Sequence, residues 1–399
     1  MADLPVAETT GPRPLAISPL ERAAGLVVGL EPGAPPLPPP VPGLSPRGAL
    51  EAEVLDALRH PPCLVTFSGG RDSSAMLALA TSVARKEGLA LPLPVTLRFP
   101  LVDTSHEADW QAQVIRHLDL DDWVRLDLDD EIDCVGPLAR EMFDRHGLLW
   151  PFNAHFLLLP LRAAAGGSLV TGIGGDEVLS PSDRLQTTLA LTRRRPLRRR
   201  DFRRVLGAVA PTVVRKAVLR RQPAPGFPWL RPAADREYAG KLVAYDAAAP
   251  LRWDGQIRRH FWPSRYVQVA RSSFAAMAAG EGTRVVHPFM EPSVLAAFAG
   301  DGGMVGFVSR DEAMRTLFGD LLPEDVLTRS SKAMFDGAFW NRHCREFASA
   351  WDGSGVDLDI VDPNALAATW ATDPPDARSY LLLQSAWLGQ RDRSGTGRG

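Results

Sequence analysis

Between an apolar run, Cys63 to Phe67, and a helical stretch lie Ser68-Gly69-Gly70-Arg71-Asp72-Ser73-Ser74. Two glycines leave the backbone uncovered. Amides at a helix start carry partial positive charge, and the hydroxyls of Ser68, Ser73 and Ser74 can hold phosphate oxygens. That set of groups suits a pyrophosphate. No Gly-Lys-Ser/Thr follows at the required spacing, so the loop is not of the Walker type. A second glycine-rich turn, Gly172-Ile173-Gly174-Gly175-Asp176-Glu177, follows the apolar Leu169 to Thr171. Asp72 and Asp176 then offer two carboxylates on separate strand ends, a donor set that hard cations such as magnesium prefer beside phosphate.

These loops need a frame. Ala49 to Arg59 has helical spacing, Cys63 to Phe67 reads as a buried parallel strand, and Ser73 to Glu87 as a helix. The alternation continues with strands at Val95–Phe99, Trp123–Leu128 and Leu169–Thr171, and helices at Glu107–His117 and Glu131–His146. The expected fold class is α/β, a parallel sheet flanked by helices, with a mainly helical part beyond Pro181. Three regions are predicted: an N-terminal arm with a proline-rich linker (1–47, including Glu31 to Gly43), a core (48–192), and a helical C-terminal part with an arginine-rich insertion (193–399) that completes the site.

The first loop resembles the Ser-Gly-Gly-x-Asp-Ser signature of the pyrophosphate-loop ATP hydrolases, which include lysidine synthetases, tRNA thiolation enzymes and asparagine synthetases. The resemblance implies an adenine-nucleotide alpha-hydrolase-like fold, cleavage of ATP between its α- and β-phosphates, and pyrophosphate release. The second loop is similar to the Thr/Ser-Gly-x-Gly-x-Asp-Glu segment of the asparagine synthetase family. Arg271 to Gly280, His287-Pro288-Phe289-Met290-Glu291, and Leu322-Pro323 through Arg329-Ser330-Ser331-Lys332 resemble further segments of that family, so that the likeness runs from about Leu50 to Trp387. It implies ATP held by Ser68, Gly69, Gly70, Asp72, Ser73, Ser74, Gly174 and Gly175, and magnesium held by Asp72 and Asp176. It also implies a catalytic Lys332 that neutralises charge on the adenylate and the leaving pyrophosphate. The expected reaction joins a carboxylate substrate to an amine nucleophile, small molecule or peptide, through an acyl adenylate.

The chain departs from the family pattern in three places. Ala2 stands where a glutaminase domain would carry its nucleophilic cysteine, which predicts no glutaminase and an amine from elsewhere, such as a separate amine-donor or peptide-delivery subunit. Ile173 occupies the place of an acid or tyrosine that removes a proton; Ile cannot act as a base, and Glu281 and Glu177 are the nearest alternatives in sequence. Arg193 to Arg204 holds eight arginines in twelve residues, either a solvated helix face or a contact for an acidic partner. This insertion, Pro228-Trp229-Leu230 and His287-Pro288-Phe289 look most like the macrolactam synthetases of lasso peptides and related actinobacterial proteins. Asn153 and His155, in Trp150 to Phe156, either line the acceptor pocket or belong to an aromatic core.

Composition narrows the classes. At 399 residues and 45% apolar content the chain can bury a large core. A formal net charge of −2 gives no general attraction to nucleic acid or anionic membrane. The rival readings are tRNA modification, for which the first loop and the arginine cluster would suffice, and a non-catalytic nucleotide-binding partner, suggested by Ile173. Three scattered cysteines form neither a disulfide framework nor a metal-ligand pair and fit a cytoplasmic setting.

Overall fold

The structure, a computed structural model, describes residues 12–100, 107–182, 184–192, 210–222, 226–329 and 336–396. Its centre is a five-stranded sheet, all parallel, made of β1 (Cys63–Thr66), β2 (Leu93–Arg98), β3 (Val124–Asp127), β4 (Ser168–Val170) and β5 (Arg284–Val286) in the order β3-β2-β1-β4-β5. Burial follows position in the sheet. The central strands β1 and β4 are apolar at successive residues and enclosed on both faces, whereas edge strand β3 alternates along Val-Arg-Leu-Asp. Pro94 interrupts the β2 pattern but lies before the ladder with β3 begins, at Val95↔Val124, so its missing N–H costs no bond on that side.

Helix α1 (Pro19–Ala24) opens on a capping box in which Ser18 and Glu21 satisfy each other's backbone groups. Helices α2 (Pro46–Leu58) and α3 (Arg71–Glu87) pack on one another and against the sheet. Ten residues of α3 between Ser74 and Ala84 are buried, and the helix ends at Gly88, left-handed at φ +65°. Then come α4 (Ala108–His117), α5 (Pro137–His146), α6 (Leu158–Ala163), which packs against β1 and β4, and the short α7 (Gly175–Leu179).

Three expectations needed adjustment. The helix expected from Glu131 begins only at Pro137, since residues before it turn around Asp133, whose carboxylate accepts from the amides of Val135, Asn341 and Cys344. Strand β5, three residues long, carries too little apolar sequence to announce itself. The proline-rich stretch is seated on the helical part rather than detached from it: Trp262 Nε1 donates to the Pro35 carbonyl at 2.7 Å and the Glu31 amide donates to Pro263 at 2.8 Å. Among the described residues, no helix is long and apolar enough to cross a membrane.

Candidate active site

The chain runs outward from β1 to β2 and β3, then returns to build β4 and β5 on the other side. That reversal opens a crevice between β1 and β4 at their carboxyl ends, where open α/β sheets bind ligands. Both glycine-rich loops sit there, one after each strand.

The first loop is wound on its own hydroxyls. The Ser68 amide donates to Ser73 Oγ at 3.2 Å, the Gly70 amide donates to Ser68 Oγ at 3.3 Å, and Ser73 Oγ donates to the Gly70 carbonyl at 3.0 Å. Gly69, at φ +88°, takes a left-handed turn that a side chain would resist; a Cβ there would also lie 3.0 Å from Glu107 Oε2. Gly70 caps α3 without a side chain, leaving the first amides of a 17-residue helix for an external acceptor. Ser74 lies beneath this surface, fully buried, so Ser68 and Ser73 are the hydroxyls at the mouth.

Distant segments hold the loop. Gln111 Nε2 donates to the Ser68 carbonyl at 2.9 Å, and Arg329 donates to the Gly69 carbonyl at 2.8 Å. Arg329 also pairs with Glu107 at 2.5 Å, each side chain only 4% exposed, and lies over the Trp110 ring at 4.8 Å. A buried pair of this kind contributes little net stability but is costly to break, so it fixes where the two segments meet.

The second loop brings its acid to the first. Asp72 accepts two bonds of 2.7 Å from Arg310 Nη2, and Asp176 pairs with Arg310 Nη1, so one guanidinium bridges both carboxylates. Gly175 allows this approach, because a Cβ on it would stand 2.5 Å from Asp72 Cγ. Gly174, at φ +95°, caps α7. Burial pushes the Asp72 carboxyl above its ordinary range; Arg310 pulls it back and the Asp176 charge adds to the rise. A cation between the two acids favours the ionised form of each. Next to it, Tyr266 donates to Glu177 Oε1. Behind it, Thr171 Oγ1 and His287 Nδ1 are 2.6 Å apart, and burial lowers the imidazole to about 3, leaving it neutral.

Two glycine-rich loops, their aspartates Asp72 and Asp176 drawn together by one guanidinium at the switch of a parallel sheet, coincide with a family match. Residues 47–386 match the asparagine synthase family model. The chain belongs to the asparagine synthase family. Members are ATP-dependent ligases that form amide bonds, generally with magnesium, and this chain is placed among them by a match over most of its length. Among curated proteins no relative matches the chain.

Not every anticipated residue reaches the crevice. Glu281 follows the helix Arg265–Gly280 and precedes β5, at the amino end of the sheet, where it pairs with Arg145 and Arg162; it is no base for this site. His155 is fully buried, its Nε2 2.7 Å from the Ile132 carbonyl, and burial lowers it to about 4; it is an interior group and not a pocket wall. Asn153, half-buried, opens the turn Ala154–Leu157. Lys332 and Arg193 to Arg204 lie outside the described residues.

Other residues carry the site without a sequence signal of their own. Glu107 stands at the N-cap position of α4 and Gln111 lies four residues on in its first turn, a spacing that any amphipathic segment shows, and Arg310 stands in no recognisable motif. Glu107 and Gln111, with Leu97, Arg98, Phe99, Pro100 and Ala108, line a cavity of about 280 Å³ beyond β2.

Proposed function

We propose that this chain activates a carboxylate as its acyl adenylate and passes the acyl group to an amine, with no glutamine hydrolysis of its own. The observation that carries the reading is the meeting of Asp72 and Asp176, about a hundred residues apart in sequence, on one cation beside the amino terminus of α3. Two carboxylates facing a phosphate-binding helix end fit magnesium, which takes one or two protein carboxylates and completes its shell from phosphate and water. Bound there, the ion would neutralise charge on the departing pyrophosphate.

The amides of α3, with Ser68 and Ser73, would hold the β- and γ-phosphates, and the cavity beyond β2 would take the nucleoside. A carboxylate oxygen attacks the α-phosphorus, the bond to the bridging oxygen breaks, and pyrophosphate leaves with both electrons. Lys332 would meet that developing charge; Arg329, three residues before it, is fixed at Gly69. An amine then attacks the acyl carbon, AMP leaves, and the amine's proton needs an acceptor. With Ile173 unable to serve, Glu177 is the acid of the second loop suited to take it, oriented by the Tyr266 hydroxyl.

The amine comes from outside these residues. Cys63, Cys134 and Cys344 are all buried, and burial raises each thiol above its ordinary range, so none is a ready nucleophile for glutamine. The test is pyrophosphate release from ATP over a panel of carboxylates and peptides, with mass spectrometry of products. Release that depends on one carboxylate and yields an amide supports the reading. Stimulation by tRNA alone would favour RNA modification, and nucleotide binding without turnover across the panel would favour a non-catalytic partner.

A further inference from the structure

The position that magnesium would take between Asp72 and Asp176 is held by a side chain of the protein itself. We propose that Arg310 is a stand-in cation: it keeps the two aspartates converged before nucleotide arrives and must release them for the divalent ion. The inference rests on the proposed ATP chemistry.

Three observations carry it. The same guanidinium reaches both acids, at 2.7 Å to each oxygen of Asp72 and paired with Asp176, the residues that the metal would need. Arg310 is held on one side only, because its buried Nε has no acceptor among the described residues. It also occupies the first turn of the helix Arg310–Phe318, where the positive end of the helix dipole opposes a cation. Polyphosphate arriving at the neighbouring amino terminus of α3 would offer this displaced cation a new anionic partner.

The helix stays docked when Arg310 lets go. Its next residue, Asp311, pairs with Arg71 at 2.8 Å, and Arg71 is the sequence neighbour of Asp72. Arg71 and Asp72 thus face Asp311 and Arg310 in two reciprocal ion pairs between the starts of two helices. Ala313, Met314, Leu317 and Phe318 bury the helix's inner side. Release of one pair therefore exchanges a charge without moving the element that carries it.

The experiment uses the full chain and manganese as an EPR-visible divalent probe, without nucleotide. Wild type should bind manganese weakly and Arg310→Gln at least ten-fold more tightly, because the competing cation is gone. Adding Asp176→Asn to that variant should abolish the gain. Unchanged or weaker manganese binding in Arg310→Gln would overturn the proposal, as would a gain that survives Asp176→Asn. Should Arg310→Gln fail to fold, the wild-type protein still decides. The Arg310 side-chain nitrogen resonance, assigned with Arg310→Lys, should shift on addition of magnesium and ATP; a resonance that stays in place with nucleotide bound refutes the exchange. Manganese affinity is read without turnover, so a chain that fails the carboxylate panel yet shows the competition would lose the proposed reaction and keep the stand-in cation.

Discussion

Two charged clusters stand at opposite ends of the same sheet. At the carboxyl ends, Arg310 bridges Asp72 and Asp176, whose loops are stripped to glycine around them. At the amino ends, Arg145 and Arg162 each touch both Glu141 and Glu281, so the charges interleave. In the second cluster, removal of any member strands two partners, and the network serves as a clasp between α5, α6 and the turn before β5. In the first, one guanidinium joins both acids, and an incoming ion can take its place between them. An acid is marked as functional by which end of the strands it occupies and by whether its counter-charge can be exchanged, and its nearness in sequence to a motif says neither.

The largest effect should come from the first cluster. Asp72→Asn or Asp176→Asn removes a ligand from the shared cation position, and loss of such an electrostatic anchor is expected to cost on the order of 10³ in pyrophosphate release. Circular dichroism should show the fold intact. Near-wild-type release in either variant would remove the distinction between the clusters.

Lys332 comes next. As a fixed ammonium acting on charge that develops in the transition state, it should contribute about 10² to 10³ in turnover while ATP affinity changes little in Lys332→Ala. Lys332→Arg should rescue only in part, because a planar fork does not place its charge where an ammonium does. Equal loss of affinity and turnover would make it a ground-state binding group.

The two clusters also differ in how legible they were. Ser68 to Ser74 and Gly172 to Glu177 could be recognised because the family pattern there rests on local backbone: a turn, a helix start, an acid at a fixed offset. The sheet was legible where strands are apolar and enclosed, as at Cys63 and Leu169, and invisible at Arg284–Val286. Arg310 and Glu107 were not legible, because their meaning lies in contacts across more than two hundred residues, to Asp72 and to Arg329 respectively. Glu281 was misleading for the same reason: its position along the chain says nothing about which end of the sheet it occupies.

Glu281→Gln sharpens the contrast. It weakens pairs to two arginines at a side chain only 10% exposed, and should lower stability by about 1–2 kcal/mol in urea unfolding. Pyrophosphate release should stay within two-fold of wild type. A hundred-fold loss of release with stability unchanged would return Glu281 to the active site.

The smallest effect is the part of the pH dependence of stability that comes from two buried histidines, His287 and His155. Burial lowers His287, behind the β4 loop, to about 3 and His155 to about 4, from an ordinary value of 6.5. Between those values the unfolded chain binds protons that the folded chain does not, so stability rises with pH across that window. The full contribution is present above pH 6.5 and is lost progressively as pH falls toward the folded values. Going from pH 7.5 to pH 6 should cost about 0.8 kcal/mol for each histidine, with the slope steepening toward about 1.4 kcal/mol per pH unit below that. Urea midpoints measured at half-unit steps would show the decline, and imidazole resonances would show both rings neutral throughout. A His287 ring that titrates near 6.5 in the folded protein would mean that water reaches Thr171, and the floor beneath the Asp176 loop would then be open and not packed.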